Sequence, residues 1–423
     1  MRTAYWRTIK VMEMKYITAK APVALLATLL TAVSFPVTAA DSLGEAFTEG
    51  KFGYSFRWRL EDVDQDPFPN NATAIPLRAR INFHTSDLYG FSAKAEFDYV
   101  FNFGVEDFNA GGGNTPNPPG YPVIADPGGE DLNQLFLQYK GNIGQLRVGR
   151  QRIIYDNARF VGNVGWRQNE QTYDSFSYNY GYGADDALQV QYAYVDNVNR
   201  IFGDEVNAGD HAQNTHLVNM SFKFNNTTKL TGYYYDIDNE DLAGFSNVTY
   251  GVRFAGKTGG EGIKLGYTLE YASQKENADN LIDYSADYWR ADLSLGFSWA
   301  TVYAGYEVLG GDDSMPGQAF RTPLATLHAF NGWADKFLGT PDAGLTDFFV
   351  GVKGSLGKWN WNVLYHDFSA ESGSGSFGTE FDGSFARKFG QNYGVLFKAA
   401  SFDTDSMAYG DTTKFWVQLT ADF

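Results

Sequence analysis

The 423-residue chain carries 46 Gly, 34 Phe and 27 Tyr, no Cys, and a formal net charge of -17. So many aromatics and glycines with modest charge favour strands and turns over helices. The acidic balance argues against a nucleic-acid partner, and the missing cysteines exclude a disulfide scaffold or a thiolate centre.

In chain order, the first element is an export signal. Lys15 and Lys20 precede the apolar run APVALLATLLTAVSF, and PVTAAD follows with Val37 and Ala39 at signal-peptidase spacing. The run falls short of the ~20 apolar residues a spanning helix needs. Residues 1–39 are therefore expected to be a signal peptide, and Met14-Lys15 reads as a more natural start than Met1. Removing Arg2, Arg7, Lys10, Lys15 and Lys20 against Glu13 leaves residues 40–423 more acidic still, expected as a single domain.

Next comes KFGYSFRWRL at 51–60, where Phe52, Tyr54, Phe56, Trp58 and Leu60 alternate with Lys51, Gly53, Ser55, Arg57 and Arg59. That is the period of a β-strand with two unlike faces. EDVDQDP follows, with Asp62, Asp64 and Asp66 at alternate positions like the start of a calcium loop. Pro67 and Thr73 stand where the loop needs its Gly and distal Glu, so an EF-hand is excluded. A solvated acidic loop is expected, with these aspartates as weak candidates for loop-bound calcium.

Alternation then recurs along the chain, as in Phe91 to Phe103, Val248 to Phe254, Ile263 to Tyr271, Trp289 to Phe297 and Phe415 to Phe423. About eighteen such segments are present, most near the ~10 residues of a tilted membrane strand. A secreted sandwich alternates too, so the connections decide between them. Short ones (87–90, 141–144, 181–186, 225–228) take turns with long ones (104–130, 153–171, 196–215, 309–344). That rhythm predicts an antiparallel transmembrane β-barrel of about 18 strands, with short periplasmic turns and long external loops. Tyr89, Phe91, Trp299, Trp359 and Trp361 sit where strands meet connections, as interfacial girdles require. The greasy face of KFGYSFRWRL then faces lipid, and Arg57 and Arg59 face the lumen.

Polar parity places Arg57, Arg59, Arg78, Arg80, Lys94, Lys140, Arg147, Arg253, Lys264, Arg290, Lys353, Lys388, Lys398 and Lys414 on the inner wall. The inward acids read from the same parity are Glu96, Asp98, Asp174, Glu270, Asp292, Asp347 and Asp422, fewer than the bases. An excess of inward Arg and Lys is the wall of an anion-preferring pore, and Arg grips planar carboxylates bidentately. Arg57, Arg59, Arg78 and Arg80, on two adjacent strands, are the expected constriction. Trp416 and Tyr288 share the polar parity, where they either stack on sugar rings or, as expected, pack into the wall.

The connection at 310–345 is too apolar for a loop in water and is expected to fold over or into the pore. Its stretch FRTPLATLHAFNGWADKFLGTP, VGRQR at 148–152 and the terminal Phe423 resemble the outer-membrane alginate export porins. The resemblance implies a monomeric barrel in bacterial outer-membrane lipid and lipopolysaccharide, inserted by the barrel-assembly machinery. It also implies an electropositive pore for an anionic uronate polymer, passed by diffusion down its gradient. A broader porin for small organic acids or phosphate is the alternative within transport, and a barrel-anchored receptor or adhesin the alternative outside it. No enzyme and no cofactor are expected, since His84, His211, His216, His328 and His366 lie in no catalytic pattern.

Overall fold

The computed structural model describes residues 40–259 and 262–423. The expected signal peptide and the alternative start at Met14 lie outside them. A six-residue helix, α1 (Leu43–Thr48), capped by Ser42, leads into the first strand.

The strands are β1 (Lys51–Gln65), β2 (Ala72–Ala74), β3 (Pro76–His84), β4 (Phe91–Asn102), β5 (Gly129–Gly141) and β6 (Gly144–Gln151). There follow β7 (Thr172–Tyr182), β8 (Leu188–Asn199), β9 (Asp210–Asn225), β10 (Thr228–Ile237), β11 (Asn247–Thr258) and β12 (Lys264–Glu276). The last are β13 (Ser285–Gly296), β14 (Ala300–Leu309), β15 (Leu345–Leu356), β16 (Trp359–Ser369), β17 (Ser376–Phe389), β18 (Tyr393–Thr404) and β19 (Thr412–Asp422). Each pairs antiparallel with its neighbour, and β1 also pairs with β19, which closes the sheet. Short β2 and longer β3 both pair with β1. They act as one interrupted strand, and the architecture is an 18-strand barrel.

Closure leaves no sheet edge, which a chain in hydrocarbon requires. Phe56, Ile81, Phe97, Leu137, Phe222, Leu269, Leu293, Phe381 and Leu419, from strands all around the cylinder, are exposed on the outer face. An apolar surface of that extent is unstable in water and stable in lipid. Arg57 and Arg59, in alternation with them, are buried inside. The connections alternate as read from the sequence, with 142–143, 226–227, 297–299 and 357–358 at one end and 103–128, 152–171 and 310–344 at the other.

Three readings change. First, 61–65 is not a loop: β1 runs through Gln65 and pairs with β19 up to Thr412. Glu61 is fully buried, because Arg167 meets it inside the barrel at 3.1 Å. Asp62 accepts from the Thr73 hydroxyl at 2.8 Å, and no group of three or more His, Asp or Glu side chains is arranged to hold a metal among the described residues. Second, the connection expected at 196–215 is only 200–209, since Asn197 and Asn199 still pair with Ala212 and Asp210 beyond a bulge. Third, Asp174 is not on the inner wall. It shares the parity of Phe176, opposite buried Tyr173, Ser175 and Ser177, and pairs with Arg150 at 2.8 Å. That pair lies at the long-loop end of β6 and β7, where outward charge costs little.

Candidate functional site in the barrel lumen

The lumen is not an open tube. Segments 152–171 and 310–344 turn inward, and the reason is their apolar content. Tyr155, Phe160 and Val161 from the first, and Phe320, Leu324 and Phe337 from the second, form one buried cluster with wall residues Tyr233, Tyr288, Phe368, Phe402 and Trp416. The Phe160 ring lies 5.2 Å from both Tyr233 and Tyr288 and 5.9 Å from Phe320. Each such side chain gains roughly 1.5–3 kcal/mol by leaving water. The segments also hydrogen-bond each other: the Gly162 amide donates to the Leu324 carbonyl at 2.9 Å and the Thr326 amide to the Ala158 carbonyl at 3.0 Å.

The four N-terminal arginines lie beneath segment 152–171. Arg57 donates to the Gly165 carbonyl at 2.8 Å and to the Arg167 carbonyl. Arg59 is fully buried, reaches the Trp166 carbonyl at 2.6 Å and Asp126 at 3.4 Å, and lies 4.0 Å from the Trp166 ring centre. Arg78 pairs with Glu170 at 3.5 Å. Arg80 pairs with Asp98 at 2.5 Å and Glu170 at 2.8 Å. Each of the four gives at least one guanidinium contact to the segment, and Arg59 and Arg80 also bond to wall residues Gln418 and Asp98, because a buried carbonyl or carboxylate without a partner would cost more than the bond returns.

Of the other expected wall cations, Lys94 pairs with Glu96 at 3.2 Å and Arg253 with Glu270 at 3.5 Å. Arg290 meets Asp292 at 3.0 Å and Glu307 at 3.2 Å. Arg147 donates to Gln138 at 2.8 Å and lies over Phe136. Among the described residues, Arg147, Lys353 and Lys388 pair with no carboxylate. All three face the lumen near the short turns at 142–143, 357–358 and 390–392.

The expected surplus of bases over acids is smaller than the strand parity indicates. Buried Glu61, Glu307, Glu380 and Asp382 also face inward, and the loops contribute Asp126, Glu170 and Asp335. Glu307 joins several elements at once: Arg159 from the first segment at 2.7 Å, Asn331 from the second at 2.8 Å, and the Tyr288 hydroxyl at 2.6 Å. Glu380 accepts from the backbone amides of Trp333 and Ala334. Gly332 makes this approach possible, with φ +84 and a Cβ position only 2.4 Å from Glu380 Oε2. Lys398 Nζ lies 4.1 Å from the Trp166 ring centre and 3.9 Å from that of Trp333, so one wall cation already occupies an aromatic cage. Trp416 and Tyr288 are fully buried packing residues.

Glu170 gives the lumen a pH dependence. Burial raises its carboxyl, but the guanidiniums of Arg80 and Arg152 outweigh burial and bring it from 4.5 down to about 2. The folded value lies below the unfolded one, so the contact stabilises fully above about pH 4.5 and is lost as pH falls through about 2. Acidification across that window is expected to loosen segment 152–171, seen as a rise in protease cleavage within it. Equal cleavage throughout the window would show that Glu170 does not hold the segment.

A closed cylinder with a lipid-facing apolar exterior and a charged, loop-lined bore is an outer-membrane β-barrel channel. The alginate export family pattern matches residues 51–308, more than half of the chain, and the chain belongs to that family. A search of curated proteins finds no match to this sequence. Among solved structures, it is similar to OccK9 (OpdG) of Pseudomonas aeruginosa, at 11% identity over 89% of this chain and 100% of that one, with a TM-score of 0.70. OccAB4 of Acinetobacter baumannii gives 12% identity, 88% and 98% coverage and a TM-score of 0.68. The outer membrane protein OpdK of Pseudomonas aeruginosa gives 13%, 88%, 99% and 0.67. At such identities the likeness concerns the fold.

Proposed function

We propose that this outer-membrane channel passes anionic saccharides, uronate oligomers of the alginate type foremost, by diffusion down their gradient. The observation that carries this reading is the set of lumen cations near the short turns, Arg147, Lys353 and Lys388, which pair with no carboxylate among the described residues. An anion entering that end finds donors that are not already neutralised, the condition for anion preference. Arg57, Arg59, Arg78 and Arg80, with Lys94, Arg253 and Arg290, act in this reading as a fixed positive framework around the in-folded segments.

Planar-bilayer recording tests it. Under a salt gradient the reversal potential is expected to report anion preference, and changing Arg147, Lys353 and Lys388 together to Gln is expected to move it toward zero. Cation preference in the parent would overturn the reading. A narrower second reading, a channel for small organic acids, takes support from OpdK, crystallised with vanillate. Stronger current block by vanillate than by oligouronates would favour it.

A further inference from the structure

The geometry points to a saccharide subsite at the short-turn end of the lumen, built on β14 to β17, that takes a hydroxyl-rich carboxylate. It rests on the anionic-saccharide reading above and assigns that reading a place.

A cavity of about 600 Å³ opens there, lined by Thr301, Lys353, Ser355, Asn360, Asn362 and Ser384. Strand register explains why these side chains meet. Thr301 pairs with Lys353, Lys353 with Asn362 and Asn362 with Ser384, forming one row across four strands. Ser355 and Asn360 pair in a second row nearer the turn. All share the parity of buried Glu307, Asp347, His366 and Asp382, and so face the lumen. A second cavity of about 210 Å³ shares Asn360 with the first and adds Lys388, Gln418 and Thr420. The larger volume falls in the range of about 300–1,000 Å³ typical of small-ligand sites.

The hydrogen bonds already made determine what the cavity offers. The Tyr303 hydroxyl donates to Asn362 Oδ1 at 2.7 Å, and the Ser355 hydroxyl donates to Asn360 Oδ1 at 2.7 Å. Each amide has used its acceptor within the wall and keeps its NH₂ for a ligand. Lys353 Nζ lies 5.1 Å from the Tyr303 ring centre and pairs with no carboxylate among the described residues. Neither cavity is lined by an Asp or Glu. Arg80, Arg253 and Arg290 elsewhere on the wall are paired with carboxylates, whereas this cavity is rich in donors and lined by no acid.

A uronate supplies the complement, with carboxylate oxygens for Lys353 and hydroxyl oxygens for the amides and Ser384. Charge-assisted bonds are roughly twice as strong as neutral ones, so the acidic sugar binds more tightly than its neutral counterpart. Lysine is a compact charge with three rotatable donors, which suits a ligand that must move on.

The test is current block by a mannuronate trimer and by a mannose trimer, each added from the short-turn side. The channels compared are the parent, Lys353→Gln, Asn362→Ala, and Lys358→Gln in the neighbouring turn. Lys353→Gln is expected to weaken mannuronate block by about tenfold, the loss of one charge-assisted bond, and to leave mannose block unchanged. Asn362→Ala is expected to weaken both, and Lys358→Gln neither. Mannuronate block that is strong in the parent and equal in Lys353→Gln and Asn362→Ala would overturn the subsite and leave the anionic reading standing. A cation-preferring parent that mannuronate does not block would overturn that reading and the subsite with it.

Discussion

Excising residues 313–341 and joining the ends through a short glycine-serine link is expected to raise single-channel conductance several-fold. The chain permits the cut, because the Asp312 amide donates to the Asp342 carbonyl at 2.8 Å, so the ends to be joined are already adjacent. What leaves is a filling of the bore, including Phe320, Leu324, Ala334 and Phe337, all buried against the wall. The barrel should survive, since every wall strand keeps both neighbours in the closed sheet and spanning strands depend on that pairing. Planar-bilayer recording measures the change. Conductance equal to that of the parent would mean that ions follow a route the segment does not obstruct.

The largest effect of a single substitution is expected at Glu307. It is 1% exposed and holds Arg159 and Arg290, the Tyr288 hydroxyl and Asn331. Glu307→Ala leaves Arg159, itself 2% exposed, without the one carboxylate it pairs with among the described residues. Removing one member of a buried pair costs about 3–5 kcal/mol, because the remaining charge stays desolvated. The temperature at which the folded barrel loses its compact gel mobility should fall, and open-channel noise should rise as both segments loosen. Glu307→Gln keeps the shape and some hydrogen bonds and should lose less. Equal melting of parent and alanine variant would show that the ion cluster contributes nothing to holding the lumen segments.

The barrel was legible in the sequence because lipid enforces a period of two. Phe52, Phe56, Phe97 and Leu269 had to lie on one face whatever the rest of the chain did. Facing is least legible where that constraint weakens. Asp174 lies near the long-loop end of β7, outside the hydrocarbon, where outward parity can carry a charge. EDVDQ resembled a loop because nothing local reveals that Arg167 will cover Glu61 from a segment far along the chain. The same reason hid most of the site. Loop residues have no parity, so Asp126, Glu170 and Asp335 could not be counted among inward acids. Glu307, Glu380 and Asp382, by contrast, carried a readable signal: each alternates with outward Tyr306 or Phe381.

The pairing of β1 with β19 has a consequence for how the molecule is made. Ser55 lies opposite Asp422, and the Tyr54 amide donates to the Phe423 carbonyl, so the seam joins positions nearly a whole chain apart. Until β19 is in place, β1 presents a bare row of amides and carbonyls, the template on which two half-made copies would zip together. Such distant pairing is also slow to find. Biogenesis therefore has a vulnerable interval that ends only when the last strand arrives, and substitutions along this one seam should lower yield more than equal substitutions between strands adjacent in the chain.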